Sequence, residues 1–100
     1  MKKEELIKDK IYTAVIGGIV WIGHFDNIKD DIIFSLVCMR VDRLDIYEGN
    51  LTCKLPVGWM THYESIREST PEEINLLLSQ LSRNHVLYSI LNKSISYEIY

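Results

Sequence analysis

Apolar residues in the first half of the chain fall in short runs rich in β-branched and aromatic side chains, which is typical of strands. Residues 11–16 and 19–28 flank Gly17-Gly18. This pair predicts a tight hairpin, because glycine readily adopts the positive φ angles of such turns. Residues 32–41 are apolar on both faces of a strand, which indicates a central strand or one bent enough to serve two layers.

The chain becomes polar over residues 42–50 before two further strand-like stretches. Residues 51–55 alternate well enough for a short strand, and residues 60–69 predict a last strand anchored by Tyr63 and Ile66. Five short strands joined by tight turns predict a small, bent, antiparallel barrel over roughly residues 11–66. The alternative is an α+β sandwich in which a helix covers one face of the sheet.

The segment SIRESTPEEINLLLSQL (residues 65–81) contains a clearly punctuated helix start. Ser69 or Thr70 supplies the N-cap oxygen, and Pro71 stands where its missing N–H costs nothing. Glu72 and Glu73 fall in the first turn, and Glu73 completes a capping box if Thr70 is the cap. An apolar stripe follows at helical spacing, formed by Ile74, Leu77, Leu78 and Leu81. The pattern predicts a helix over residues 70–84, packed on the barrel.

The tail beyond this helix predicts a terminal strand or hairpin. Residues 86–91 are interpreted as extended, and Asn92-Lys93 would turn them back against residues 94–99, where apolar and polar positions alternate. The fold class is therefore mainly β with one helix (α+β). Residues 1–68 form the barrel with a charged lead-in, and residues 69–100 form an appended helix and strand or hairpin of the same compact domain.

Composition narrows the classes of partner. The chain has 100 residues, enough for one domain, with 11 Lys and Arg against 14 Asp and Glu and a net charge of −3. This balance removes the usual first argument for nucleic-acid binding, which relies on concentrated positive charge. No apolar run approaches the roughly 20 residues of a membrane span, and residues 1–10 are charged rather than export-signal-like. We therefore expect a cytoplasmic protein that does not enter membranes.

The residues that carry chemistry are scattered. Cys38 and Cys53 lack the close paired spacing of a zinc site, and the three histidines stand singly, so we expect no metal and no cofactor. Whether the two cysteines are neighbours depends on how their strands pair. The adjacent carboxylates of Asp30-Asp31 and of Glu72-Glu73 are interpreted as a solvated turn and a helix cap. We predict no catalytic residues and no enzyme activity.

Aromatic residues are better candidates for a contact surface than any catalytic set. Trp21 and Phe25 share a face of the second predicted strand, which favours core packing for both. Trp59, in a predicted loop, is the candidate for an exposed contact, and the predicted binding surface also includes Tyr47 and His62.

Leu76 completes this predicted surface. It lies opposite the leucine stripe of the helix and would form a partner or self-association surface together with the tyrosines of the tail, Tyr88, Tyr97 and Tyr100.

Residues 66–84 resemble a known group of sequences. Arg67, Thr70, Pro71, Glu72-Glu73 and Leu77 match an Arg-x-Ala-Thr-x-Glu-Glu helix found in small uncharacterised proteins of bacteriophages and mobile elements of Bacteroidales, crAss-like phages included, with Ser69 in place of alanine. In that group the helix follows a small barrel of the SH3-like type. The resemblance implies an SH3-like antiparallel barrel and a phage or mobile-element setting, and it carries over no catalytic residues.

The sequence thus predicts a non-enzymatic protein-binding or assembly module, either a virion accessory or an inhibitor of a host factor. A protein partner is expected, with homo-oligomerisation as another form of contact. The alternative is a nucleic-acid-binding accessory protein that uses a basic arm and two strand-end arginines: Lys2, Lys3, Lys8, Lys10, Arg40 and Arg43. A third interpretation, a degraded or regulatory enzyme subunit, requires a pocket of converging polar groups.

Overall fold

A computed structural model describes residues 3–30, 32–48, 57–59, 63–82 and 85–91. After a short 3₁₀ turn at Lys3–Glu5, these residues form short strands, one longer helix and a helical segment at residues 86–91. The elements are β1 (Ile11–Ile16), β2 (Ile19–His24), β3 (Asn27–Lys29), β4 (Ile32–Ser35), β5 (Val37–Arg40), β6 (Asp45–Glu48), β7 (Val57–Trp59), β8 (Ser65–Glu68) and α1 (Pro71–Ser79).

The strands form two antiparallel sheets. One has five strands in the order β6-β5-β2-β1-β8, and the other has three in the order β3-β4-β7. The prediction of a mainly β, α+β protein with antiparallel strands is confirmed. The described strands do not close into a barrel, because the five-stranded sheet ends at β6 and β8 without pairing these two strands to each other.

The first hairpin forms as its glycines predict. Gly17 and Gly18 adopt φ angles of 58° and 75°, and β1 pairs with β2 from Ile16↔Ile19 to Ile11↔His24. Both glycines stand at φ values that side chains with a Cβ rarely adopt, which explains the Gly-Gly pair at this turn.

Two long strands bend between the sheets. The apolar run at residues 32–41 divides at Leu36 into β4, in the smaller sheet, and β5, in the larger one. Its neighbour divides in the same way into β2 and β3. Both interpretations of residues 32–41 are confirmed: the strand bends to serve two layers, and each half is a central strand, β4 between β3 and β7 and β5 between β6 and β2.

His24 holds this bend. Its ring is buried (1% exposed), and its Nδ1 accepts a hydrogen bond from the Leu36 N–H at 3.2 Å. With Nδ1 as acceptor, the neutral ring carries its proton on Nε2, which lies 2.8 Å from Asp9 Oδ1 and donates to it. The N–H of Asp9 in turn donates to the Phe25 carbonyl at 2.8 Å. The lead-in segment and both bent strands thus meet at one imidazole.

The larger sheet has a core on each face. The face that carries Ile11, Ile22, Val37 and Met39 packs against Leu77, Leu81 and Leu87 of the C-terminal helical region. The other face carries Tyr12, Ala14 and Cys38 and packs with Phe25, Ile33 and Ile66. Because cross-strand neighbours share a face, the registers Ile22↔Met39 and Gly23↔Cys38 separate these two cores. The layers are therefore helices, five-stranded sheet and three-stranded sheet.

The start of α1 is the capping box that the sequence predicts. The Glu73 N–H donates to Thr70 Oγ1 at 3.2 Å, and Glu73 Oε1 accepts from the Thr70 N–H at 2.8 Å. Arg67, on β8, adds two hydrogen bonds to the Glu73 carboxylate at 2.7 and 3.0 Å. These bonds, chiefly those from Arg67, lower the pKa of Glu73 from 4.5 to about 2. The last strand and the helix are thereby joined through one carboxylate.

α1 ends at Ser79, earlier than the predicted residue 84, with Gln80 as its C-cap. The Ser79 hydroxyl donates to the Leu76 carbonyl at 2.7 Å, and the Gln80 N–H bonds the Leu77 carbonyl. Serine side chains that bond nearby carbonyls compete with the helical pattern, so the polar residues after Leu78 stop the helix sooner than the leucine spacing indicates.

The extended interpretation of residues 86–91 is wrong, because these residues are helical. His85 caps the segment, with its Nδ1 accepting the Leu87 N–H at 3.0 Å, and Leu87 is buried in the helix-side core. Leu87 and Leu91, which are about one helical turn apart, both pack on that core. The predicted partner strand at residues 94–99 lies outside the described residues.

A second difference concerns the polar stretch at residues 42–50, which contains β6. Asp45–Glu48 pairs with β5 from Arg40↔Asp45 to Val37↔Glu48, after a turn in which Leu44 has φ 54°. Backbone pairing with β5 and packing of Ile46 on the helix-side core position this strand, although the sequence lacks the apolar alternation of a predicted strand. The strand predicted at residues 51–55 lies outside the described residues.

Truncating the helix stripe at its buried centre should cost much of the fold's stability. Leu77 is 0% exposed, so Leu77→Ala should lower the free energy of unfolding by about 3 kcal/mol, through lost burial and the cavity left behind. Urea unfolding followed by circular dichroism measures this. Asn75→Ala, on the exposed side of the same helix, is the control and should change stability by less than about 0.5 kcal/mol. Equal effects of the two substitutions would contradict the packing described.

Removing the imidazole at the bend should cost more than removing its carboxylate partner. We expect His24→Ala to destabilise by about 3 kcal/mol, because it leaves the Leu36 N–H without its acceptor and opens a cavity. Asp9→Ala, which removes one hydrogen bond at a partly exposed position and places alanine at φ 70°, should cost about 1–2 kcal/mol. Lys29→Ala, an exposed position on β3, serves as control in the same urea series. A His24→Ala protein as stable as this control would exclude the role described for the ring.

Lowering the pH should weaken the contact between β8 and α1 that the Glu73 carboxylate makes with Arg67 and Thr70. The pKa of Glu73 is depressed in the folded protein, so the unfolded chain takes up the proton first as pH falls. The stabilisation that the ionised Glu73 carboxylate contributes is complete above about pH 4.5 and is lost as the pH falls through that value toward 2. Since Arg67 is largely exposed and screened by solvent, we expect the free energy of unfolding to fall by about 1–2 kcal/mol through this group.

The measurement is the unfolding free energy at several pH values between 2 and 6, compared between the unsubstituted protein and Glu73→Gln. Glutamine keeps an acceptor for the capping box but has no titrating group in this range. The Glu73→Gln protein should therefore lose less stability on acidification. Parallel pH profiles for the two proteins would show that Glu73 has no such linkage.

Candidate binding surface

Trp21 and Tyr47 form an aromatic pair on the larger sheet. Their ring centroids lie 5.4 Å apart and the ring planes are inclined by 42°. Tyr47 is 45% exposed and Trp21 is half-buried, packing against the core between the sheets. Large aromatic side chains that keep part of their surface in water are enriched at protein interfaces. This pair is the strongest contact candidate among the described residues.

Strand register explains why these two side chains meet. Trp21 lies opposite Arg40, and Arg40 lies opposite Asp45, so the three share one face of the sheet. Tyr47 is two residues beyond Asp45 and therefore points to the same face. The rings approach each other across β5, the strand between them. Three paired strands thus hold the aromatic pair, and no loop residue is needed to place it.

Charged groups border the pair. The Arg40 guanidinium donates to both carboxylate oxygens of Asp42, at 2.7 and 3.0 Å. These hydrogen bonds raise the pKa of Arg40 and lower the pKa of Asp42. Asp45, half-buried on the same face, forms no ion pair with any residue that the structure describes. Arg40 is therefore hydrogen-bonded to Asp42, whereas Asp45, opposite Arg40 in the sheet, acts on it only through a weaker charge–charge attraction.

The predicted contact residues have different outcomes. Tyr47 is exposed and belongs to the aromatic pair. Trp59 ends β7, an edge strand rather than a loop, and its side chain lies outside the description, as does all of His62. The predicted exposure of Leu76 is wrong, because this side chain is half-buried against the helix-side core. The second helical segment lies against α1, with Tyr88 Oη donating to the Leu78 carbonyl, and it packs on the same core as Leu76.

Trp21 is a candidate contact residue that the sequence pattern assigned to the core. Its alternation with Ile19 indicates a side chain on the core face, and it does pack against the core between the sheets. The alternation of side chains along β2 identifies the face on which Trp21 lies, but it does not show how much of that face the opposite sheet covers. The positions of Trp21 and Tyr47 in the sequence do not indicate that their rings meet, because this contact depends on the register of β6 against β5.

Three of the six cations assigned to a nucleic-acid surface lie beside carboxylates in the described part of the chain. Lys10 Nζ is 2.5 Å from Glu68 Oε1, and Lys8 Nζ is 3.9 Å from Asp26 Oδ1. Arg40 contacts Asp42 as described above. Cations in such pairs have part of their charge offset, so Lys8 and Lys10 offer phosphate groups little net positive charge.

No family model, curated protein or solved structure matches this chain. Within the described residues, no three His, Cys, Asp or Glu side chains are grouped to hold a metal ion. None of the described helices is both long and apolar enough to cross a bilayer. The surface must therefore be interpreted from its own geometry.

Proposed function

We propose that this protein is a non-enzymatic protein-binding or assembly module whose contact surface is centred on Trp21 and Tyr47. The observation that carries the proposal is a partly exposed aromatic pair held by three paired strands. Tyrosine and tryptophan contribute much contact area with few rotatable bonds, so ordering them on binding costs little entropy. Placement on strands lowers this cost further, because the rings are already positioned.

The resemblance of residues 66–84 to small phage and mobile-element proteins supplies the setting of the proposal. We propose an SH3-like arrangement for the two bent sheets, and a role as a virion accessory or an inhibitor of a host factor in the bacterial cytoplasm. The two strands that bend between sheets support the SH3-like comparison, since strongly bent strands are typical of small barrels. Protein contacts are favoured over nucleic acid because Lys8, Lys10 and Arg40 lie beside carboxylates.

Site-specific photocrosslinking tests the proposal. A benzophenone amino acid replaces Tyr47, and the protein is irradiated in lysate of a Bacteroidales host. We expect a discrete adduct with a protein, and excess unlabelled protein should suppress it. Tyr47→Ala protein added as competitor should suppress the adduct at least about 10-fold less well, because an aromatic hot-spot residue contributes ~1.4 kcal/mol or more.

The control places the same benzophenone at Glu72, which is exposed on α1. Adducts of the same pattern at both positions, or equal competition by Tyr47→Ala, would contradict a binding surface at the aromatic pair. An adduct with nucleic acid alone would favour the alternative function. An adduct of twice the protein's own mass would identify the partner as a second copy.

A further inference from the structure

We infer that the Trp21–Tyr47 pair receives a cationic side chain, lysine or arginine, of a protein partner, with Asp45 as its counter-ion. This inference rests on the proposed function and names the chemistry of the partner. Its elements are two inclined aromatic rings and one carboxylate on the same sheet face.

The aromatic rings provide the first part of the recognition. The faces of tryptophan and tyrosine rings carry negative electrostatic potential and attract ammonium and guanidinium groups. Tyr47 keeps 45% of its surface exposed, so its ring is accessible to a partner. The inclination of 42° between the ring planes lets a group at their junction contact both rings.

The charges beside the rings favour a cation over a neutral group. Asp42 holds Arg40 through two hydrogen bonds, and Arg43, in the same turn, also acts on Asp42. Among the described residues Asp45 makes no ion-pair contact, and it is attracted only weakly to Arg40, whose hydrogen bonds go to Asp42. It is two residues from Tyr47, about 7 Å along the same strand face. A lysine or arginine side chain spans such a distance and would contact ring and carboxylate together.

The partly buried position of Asp45 adds to this preference. A half-buried carboxylate is stabilised by a cation more than a fully exposed one, because screening by water is weaker there. A neutral apolar side chain seated on the rings would instead remove water from Asp45 and leave only the weak attraction of Arg40 to offset that cost. The site would therefore favour a cationic side chain in two ways: it attracts the charge, and binding an uncharged side chain of the same size would cost free energy.

An NMR titration with matched small probes tests the inference. The probes are the blocked amino acids Nα-acetyl-lysine methylamide and Nα-acetyl-norleucine methylamide, which differ in the terminal ammonium, at constant salt. The reporter is the Trp21 indole N–H signal, assigned in the Trp59→Phe protein. We expect the lysine probe to shift this signal saturably and with about 10-fold higher affinity than norleucine.

Two charge variants form the decisive comparison. Asp45→Asn should lower affinity for the lysine probe by roughly three- to tenfold and leave norleucine unchanged. Glu72→Gln, which removes one negative charge on α1, should leave both affinities unchanged. Both substitutions keep side-chain shape, and amide spectra of the variants verify that the fold is intact.

Equal affinity for the two probes would overturn the inference, since the rings would then be a purely apolar contact. An equal loss in Asp45→Asn and Glu72→Gln would also overturn it, because net charge alone would account for the binding. Either result leaves the proposed function standing if the Tyr47 photocrosslink still forms with a protein. Loss of the photocrosslink, in contrast, refutes the proposed function whatever the probes show.

Discussion

A buried imidazole holds the place where two long strands bend together. His24 accepts the Leu36 N–H on one side and contacts the Asp9 carboxylate on the other, so it joins the lead-in segment to both bent strands. A bend interrupts the ladder of backbone hydrogen bonds and exposes donors and acceptors that a buried position must satisfy. The histidine satisfies the Leu36 donor and hence makes the bend compatible with a core.

The arrangement of the layers follows from that bend. Because β2 and β5 turn out of the larger sheet into β3 and β4, the smaller sheet lies over one face and the helices cover the other. The capped joint at Thr70 and Glu73 directs α1 back onto the helix-side core. Trp21 and Tyr47 lie on the face shared with the smaller sheet, where Tyr47 remains partly exposed.

Local signals in the sequence predict much of this fold. Gly17-Gly18 predicts the first turn, and Thr70 with Glu73 predicts the helix start, because each depends on residues close in the chain.

The features that the sequence does not predict depend on contacts between distant residues. The bend at Leu36 has no glycine or proline to mark it, and it depends on a histidine twelve residues away. β6 lies in a mostly polar stretch, and it depends on pairing with β5 and on packing of Ile46 against the helix-side core. The helical state of residues 86–91 depends on packing of Leu87 against a distant sheet. Of the contact surface, Tyr47 is predictable as a polar-segment aromatic, whereas its pairing with Trp21 requires the strand register.

The hydrogen bond at the bend is directly observable by nitrogen NMR of uniformly ¹⁵N-labelled protein. The structure predicts that His24 carries its proton on Nε2 and that Nδ1 has the chemical shift of an unprotonated, hydrogen-bonded nitrogen. It also predicts a scalar coupling across the bond between Nδ1 and the Leu36 amide nitrogen, together with slow exchange of that amide proton. A ring protonated on Nδ1, or a Leu36 amide that exchanges as fast as those of exposed turns, would contradict the central role of this contact.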